Sequence, residues 1–498
     1  MAEEVTERRI GLFYGIITGL GSTLGIEFFV LLDYAVELAG PGIVISLVLA
    51  GLINLLIMFN YAELSSSISM VGAEYTFTKA AFGGFICFLS GGLRWLSSIF
   101  TTTLSAMGLA ILVQSFFPQL NSSLVAVVLI AVFTVISIKG GRTVDLTTVL
   151  SFVLVFVVLG ALSVMHGLDF GNFEPLVTRG LYPGVLAATM YSFSMYVGMR
   201  AIATKSPEMK EPGKVLPGAV LISTVICIVV YSGVSFFAVG VVPPDVELSG
   251  PLLVHVADIV MGPAGQLLVA IAMTSAAIMS LATSMSVQTS ILSALSRDGY
   301  IPSVIFSPGG NSMTRYIAQL IGSLLAILLA ATGLIVFVGY ASGFASLLVF
   351  AFVNLSLIKL RMDRPDLDRP FKTPLYPYTP IVGIIIALAL IVFVESSAVT
   401  LVLEFIMISL IIYHLKMMGY HRLRVAVGGI NLGVSAFIAL ILYLVHTGTL
   451  LLGFSPAEHT ALLVVGSVIA ATFFTAGILN LIRSEKKEEE PVGRLWVE

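Results

Sequence analysis

Charge is scarce in this chain. Asp, Glu, Lys and Arg make up 11% of its 498 residues, 25 basic against 28 acidic, for a formal net charge of -3. An ordinary soluble domain carries about twice that fraction, and a nucleic-acid-binding chain carries a basic excess, so both readings are excluded. Cysteine is nearly missing as well. Cys87 and Cys227 stand alone in apolar runs and the six histidines do not cluster, which argues against a disulfide framework, a redox pair or a metal site. Both thiols are expected to be inert packing groups. The opening MAEEVTERRI is as acidic as it is basic and runs straight into an apolar stretch, so no cleavable signal peptide is read. Low complexity is confined to the EKKEEE run from Glu485 to Glu490, expected to be a solvated end.

Apolar side chains are abundant: 58% of the residues, with a mean hydropathy of +1.05. That is roughly 289 residues, enough for about fourteen membrane helices of ~20 residues each. Apolar stretches bounded by charge, Pro or Gly predict spans over 11-38, 41-64, 82-117, 123-138, 146-165, 183-204, 216-242, 263-296, 315-333, 335-358, 379-394, 397-415, 425-446 and 460-482. With the N-terminus cytoplasmic, this count puts 22 of the 25 Lys and Arg residues on the inside and only Arg179 outside. The remaining two, Arg94 and Arg200, lie within spans. The positive-inside rule therefore favours fourteen spans with both termini cytoplasmic, and a plasma-membrane location is expected for such a chain.

Two spans are interrupted near their midpoints. The first carries Gly19-Leu20-Gly21-Ser22-Thr23-Leu24-Gly25 and the sixth Ser192-Phe193-Ser194-Met195-Tyr196-Val197-Gly198. Small and hydroxylated residues weaken a helix there, and the backbone groups set free must line a cavity or be buried in protein, because lipid offers them no partners. Paired breaks at matching places in two five-span halves point to a transporter built from inverted repeats. Close helix packing through small residues is the alternative.

Four motifs, in order, carry a family resemblance. Gly40-Pro41, Tyr61-Ala62-Glu63-Leu64 and Gly72-Ala73-Glu74-Tyr75 come first, then Ser206-Pro207-Glu208-Met209-Lys210-Glu211-Pro212 with Leu216-Pro217-Gly218-Ala219. Ala294-Leu295-Ser296-Arg297-Asp298-Gly299-Tyr300-Ile301-Pro302 follows, and RMDRPDLDRPFKTPLYPYTP runs from Arg361 to Pro380. The chain resembles the amino acid, polyamine and organocation transporter superfamily. The resemblance implies an all-α polytopic membrane protein with a LeuT-type 5+5 core: residues 1-10 as a cytoplasmic N-terminus, 11-182 and 183-360 as the two repeats, 361-482 as four accessory spans and 483-498 as a cytoplasmic tail. It also implies alternating-access transport of an amino acid or related small amine, coupled to a proton or sodium or working by exchange, with no bound cofactor. Substrate then lies beside the two breaks, against Gly21, Ser22, Thr23, Gly25, Phe193, Tyr196 and Gly198. The free amides of span one suit a carboxylate, and the free carbonyls of span six suit an ammonium group.

Two departures fall at that site. Glu27 stands where the family has glycine, and Arg200 where an acid is common. A charge at mid-membrane costs about 2.5–3.5 kcal/mol on insertion scales, so each requires a partner or a purpose. They occupy matching places in the two repeats, which predicts a buried Glu27–Arg200 ion pair. Three roles are open: a structural tether, a gating or proton-linked element, and direct binding of an anionic substrate group by Arg200. Arg94 is a rival partner for Glu27. Because Glu27 takes up pocket space and adds charge, small amines and inorganic ions are substrates to weigh beside α-amino acids.

Coupling is open too. No lysine lies between Thr143 and Met165, where some proton-coupled relatives carry one. Sodium held by Gly21 and Leu24 carbonyls with Ser280, Thr283 or Ser284 is one option, a proton on Glu27 another and simple exchange a third; hydroxyls in helices often bond back to their own turn instead. Tyr340, Tyr196 and Phe193 are candidate lids. Glu63 and Glu208 read as loop-fixing or inner-gate acids, and Asp145 with Lys139 and Arg142 as a loop ion pair. A potassium-uptake transporter on the same core and a non-transporting nutrient sensor remain as rivals, although only sixteen residues follow Ile482 to form a regulatory domain. No buried His/Asp/Glu or Ser/Lys constellation suggests a membrane enzyme.

Overall fold

A computed structural model describes residues 10-68, 72-138, 145-177, 184-242, 250-301, 312-417, 429-436, 438-439, 442 and 456-482. Those residues form an all-α polytopic membrane protein with no strand among them, only an isolated bridge between Ile10 and Met209. Six helical segments are long and apolar enough to cross a membrane, and seven shorter apolar helices accompany them. Helix is the necessary choice for such segments, since each backbone N–H and C=O must find its partner within the segment.

The helices are α1 (Leu12–Thr23), α2 (Ile26–Ala39), α3 (Ile43–Ser67), α4 (Ala73–Ala81), α5 (Gly84–Phe116), α6 (Ser122–Ile138), α7 (Asp145–His166), α8 (Leu186–Phe193), α9 (Ala201–Thr204), α10 (Pro212–Val241), α11 (Leu252–Met261), α12 (Pro263–Arg297), α13 (Ser312–Thr332), α14 (Ile335–Asp363), α15 (Tyr378–Ile391), α16 (Ser396–Met417) and α17 (Pro456–Ile482). The chain forms two compact units, Met1–Ile406 and Met407–Glu498, the division falling inside α16. In the second unit, Ser435 Oγ donates to the Ala470 carbonyl of α17 at 2.8 Å.

Most predicted spans match a helix to within a turn, and the exceptions have local causes. The stretch 11-38 is two helices, because Leu24 leaves helical geometry and Gly25 is extended at the start of α2. The stretch 183-204 is α8, a 3-10 segment over Ser194–Arg200 and the short α9. Residues 82-117 hold α5 alone, while α4 precedes it across Gly83, whose φ of +59° suits a residue without a Cβ. The helix α10 begins at Pro212, one turn before the predicted 216, because proline at the first position gives up an N–H that has no helical partner anyway. Only part of the stretch 425-446 lies among the described residues.

Within the first unit α5 is the central element, buried along most of its length and packed on α4, α12, α13 and α14. Its small face allows close approach. A Cβ on Gly108 would stand 2.3 Å from Val30 Cγ2, so glycine there sets the α5–α2 spacing. Opposite, α3 lies along α10 and α1 along α10. The two interrupted helices are thereby held side by side in the middle of the bundle.

Candidate functional site

The site begins where the two breaks touch. Ser22 Oγ donates to the Gly198 carbonyl at 3.1 Å and to Thr18 O at 2.7 Å, and Thr23 Oγ1 donates back to Gly19 O at 2.6 Å. Tyr231 of α10 donates its hydroxyl to the Thr23 carbonyl at 2.6 Å and stacks on Phe28 with centroids 4.2 Å apart. Carbonyls released by the break in span one are thus taken up by hydroxyls, as burial away from water demands. Of the residues named at the two breaks, Ser22 and Thr23 lie directly against Gly198, while Gly25 faces Glu27 and Ser280. Tyr231 was not foreseen, since a tyrosine in an apolar helix gives no sign of which way it points.

Glu27 lies in the first turn of α2 and is only part-buried. Its carboxylate accepts from Ser280 Oγ of α12 at 3.2 Å and from its own backbone N–H, beside Ser105 of α5, whose hydroxyl donates to the Thr101 carbonyl at 2.7 Å. A Cβ on Gly25 would stand 2.1 Å from Glu27 Oε2 and 2.7 Å from Ser280 Oγ, so the carboxylate folds back over the start of its own helix. The positive end of the α2 dipole and the first amides favour an anion there.

The expected Glu27–Arg200 pair does not form. Arg200 sits at the far end of the 3-10 segment, 2% exposed, with Nε 3.8 Å from Glu74 Oε1, while Nη2 donates to Ser97 Oγ at 3.0 Å. Arg94 also faces Glu74, Nε to Oε1 at 3.3 Å, and so is not a partner of Glu27 either. The reason is placement along the helices. Glu27 follows its break by two residues and reaches α5 and α12, whereas Arg200 closes a seven-residue 3-10 segment and reaches α4 and α5. No ion pair to Glu27 is found among the described residues.

Of the candidate lids, Tyr196 donates to the Leu47 carbonyl at 2.9 Å and packs edge-on to Tyr231, and Phe193 packs edge-on to Phe350. Both are buried packing groups. Tyr340 instead joins Tyr34 of α2 and Tyr191 of α8 in an edge-to-face cluster, with centroids 6.1 and 4.8 Å away. Of the proposed sodium ligands, Ser280 donates to Glu27, and Ser284 bonds Thr102 of α5 at 2.7 Å and donates to the Leu281 carbonyl. Thr283 of α12 is half-buried.

Apart from Gly40-Pro41, which precedes the start of α3, residues of the motifs meet at one end of the bundle. Glu63, 1% exposed, accepts both arms of Arg361 at 2.8 and 2.6 Å, the Thr373 amide at 2.7 Å, and lies 3.4 Å from Arg369 Nε. Glu63 is therefore a loop-fixing acid, joining α3 to the segment after α14. Glu208 is not its equal: among the described residues it pairs with the exposed Lys205, three residues away. Ser206 Oγ donates to the Ser65 carbonyl at 2.6 Å, and Asp298 receives Tyr75 Oη at 2.5 Å and Lys79 Nζ at 2.7 Å. Both thiols are buried and unpaired, with Cys87 3.2 Å from the Tyr300 hydroxyl. The Asp145 side chain, Lys139, Arg142, the N-terminal residues 1-9 and the EKKEEE run lie outside the described residues.

Two expectations follow from these contacts. Glu63→Ala leaves two guanidinium groups and an amide without their buried acceptor and is expected to cost about 3 kcal/mol or more, read as a fall in Tm of the purified protein. An unchanged Tm would remove Glu63 from the role of anchor. For Asp298, burial raises the carboxyl pKa, but Lys79, Tyr75 and Arg297 outweigh it and hold the value below the ordinary range. A depressed acid stabilises the fold above its unfolded pKa of about 4, and that contribution is lost as pH falls through the folded value. The Tm gap between wild type and Asp298→Asn should accordingly be constant near neutrality and close below about pH 4; a gap that stays open in acid would contradict this.

Comparison with known proteins agrees with this architecture. The family model described as amino acid permease matches residues 10–415. Branched-chain amino acid permease BcaP of Bacillus subtilis is 28% identical over 450 residues, covering 85% of this chain and 96% of that protein. The methylthioribose transporter of the same bacterium is 25% identical over 406 residues, covering 76% and 86%. Cationic amino acid transporter 9, chloroplastic, of Arabidopsis thaliana is 29% identical over 330 residues, covering 60% and 56%.

Proposed function

Because the chain belongs to the amino acid permease family, a family of membrane transporters rather than enzymes, we propose that it is a secondary active transporter carrying an amino acid or small organic amine by alternating access. In this reading it spans a plasma membrane fourteen times with both termini cytoplasmic. Residues 11-182 and 183-360 are inverted repeats whose broken helices share one central site.

The observation that carries the reading is Glu27. An acid seated at mid-bundle between α2, α5 and α12, part-exposed and, among the described residues, held by the Ser280 hydroxyl and its own amide with no cation beside it, is a receptor for positive charge. The ammonium group of the substrate supplies that charge in one half of the cycle, and a proton supplies it in the other. Glu27 also occupies the start of α2, where a substrate carboxylate would otherwise bind, which favours amines and amino acids recognised through their ammonium end. Ser105 and Ser280 flank the same carboxylate with oxygen ligands, and that arrangement favours a bare monovalent cation such as potassium as the second reading.

Proteoliposomes holding the purified protein test both. Labelled amino acids, amines and rubidium are offered under an outward proton gradient (acidic lumen), since proton and substrate exchange on one carboxylate, and under an inward sodium gradient and none. Accumulation of an amine or amino acid under the proton gradient alone is the expected result. Rubidium uptake without organic uptake would replace it by the cation reading, and the absence of any flux would support a sensor.

A further inference from the structure

A second buried charged group lies apart from Glu27. It comprises Glu74 of α4, Arg94 of α5 and Arg200 at the end of the 3-10 segment, respectively 2%, 8% and 2% exposed. Two guanidinium groups face a single carboxylate, Arg94 Nε at 3.3 Å and Arg200 Nε at 3.8 Å from the same Glu74 Oε1. The group therefore carries one uncompensated positive charge inside the bundle. Among the described residues the other neighbours bring no further acid: Tyr61 of α3 stands beside Glu74 and both arginines, Ser97 of α5 bonds Arg200 and Ser346 of α14, and the Phe350 ring lies 5.9 Å under the Arg200 guanidinium.

Arg200 is also short of acceptors. Nη2 is spent on Ser97, but Nη1 is buried and has no hydrogen-bond partner. The Arg361–Glu63–Arg369 group at the end of α3 has the same charge count, yet there Arg369 directs its donors at the Leu360, Arg364, Pro365 and Leu367 carbonyls and both arms of Arg361 grip the carboxylate. Nothing comparable serves Arg200. A water molecule would satisfy Nη1 but leave the charge; an anion does both.

We propose that Arg200 Nη1, with Arg94 and Tyr61, forms a binding site for a resident monovalent anion of the chloride class. One negative charge completes the neutralisation, whereas a divalent anion would reverse it and find too few donors. The aromatic enclosure by Tyr61 and Phe350 favours a compact, weakly hydrated ion. Bound there, the ion ties the end of the broken sixth span to α4 and α5, so the site supports the transport core without touching the Glu27 pocket.

The test is the Tm of the purified full-length protein at constant ionic strength as gluconate is replaced by chloride, bromide, nitrate, acetate or sulfate. Chloride, bromide and nitrate are expected to raise Tm by about 2 °C or more between ~1 and ~100 mM, with sulfate without effect. Arg200→Gln is expected to abolish the rise. Glu74→Gln, which doubles the uncompensated charge, is expected to shift the half-maximal chloride concentration down by about tenfold, a difference of about 1.4 kcal/mol. Arg361→Gln, at the other arginine pair, should lower Tm yet keep the chloride rise. Bromide-soaked wild-type crystals give a readout that needs no variant: an anomalous peak beside Arg200 Nη1 supports the site, and bromide ordered only elsewhere overturns it. Equal Tm in chloride and gluconate, or a chloride rise undiminished in Arg200→Gln, would also overturn it. Stabilisation by acetate and amino acids but not by halides would reassign Arg200 to a substrate carboxylate.

Discussion

Glu27→Gln is expected to abolish proton-driven accumulation in proteoliposomes while leaving a well-folded protein. The substitution keeps the size of the side chain and its capacity to accept from Ser280 Oγ and from its own amide, so packing between α2, α5 and α12 is preserved. What disappears is the ionisable charge. A charge-assisted hydrogen bond to an ammonium group is worth about 1.5–3 kcal/mol, so apparent substrate affinity should fall by roughly 10- to 100-fold. The coupling effect is larger. If the proton and the substrate compete for the same carboxylate, the variant has no site for the proton and can only equilibrate substrate across the membrane. Tracer exchange between equal internal and external pools then survives while the accumulation ratio drops to about one. Full gradient-driven accumulation by Glu27→Gln would remove this residue from coupling and leave it as a helix cap.

The same residue shows what can be read from a sequence of this kind. The positions of the breaks were legible, because Gly19, Gly21, Gly25 and Gly198 stand out in apolar helices whose backbone has no other reason to stop. The positions of Glu27 and Arg200 beside those breaks were legible for the same reason, as charges where lipid permits none. Their partners were not. Arg200 is matched with Glu74, an acid that by sequence belongs to a loop motif before the third span, and the short helix α4 turns it inward. Helices apolar all round carry no polar face to fix their rotation, so which residue faces which neighbour is decided by packing alone. For that reason Ser105, Ser97 and Tyr231 carried no signal. Glu63 is the instructive contrast: its place among motif residues pointed to a loop-fixing or inner-gate acid, and the structure gives it two arginines and an amide that tie it to the segment after α14.

Replacing Gly198 by alanine is expected to be the most damaging single-methyl change in the first unit. Its Cβ would stand 1.9 Å from the Ser22 carbonyl oxygen and 2.8 Å from Thr23 Cα, so the obstacle is backbone rather than a side chain that can rotate away. Separating the two segments would also break the Ser22 Oγ bond to the Gly198 carbonyl and strain the Tyr231 bonds that reach both breaks, to Thr23 O at 2.6 Å and Met195 O at 3.4 Å. Overpacking of this sort costs about 3 kcal/mol or more where neither side can yield. The expected outcome is a marked loss of folded, monodisperse protein on size-exclusion chromatography, and loss of uptake in whatever fraction survives. Gly11→Ala is the control, since nothing lies within 4 Å of its added Cβ; its Tm should stay within the small range of surface substitutions. Wild-type stability and uptake in Gly198→Ala would mean that the two broken segments do not touch in the working protein, and with that contact would go the shared central site on which the transport reading depends.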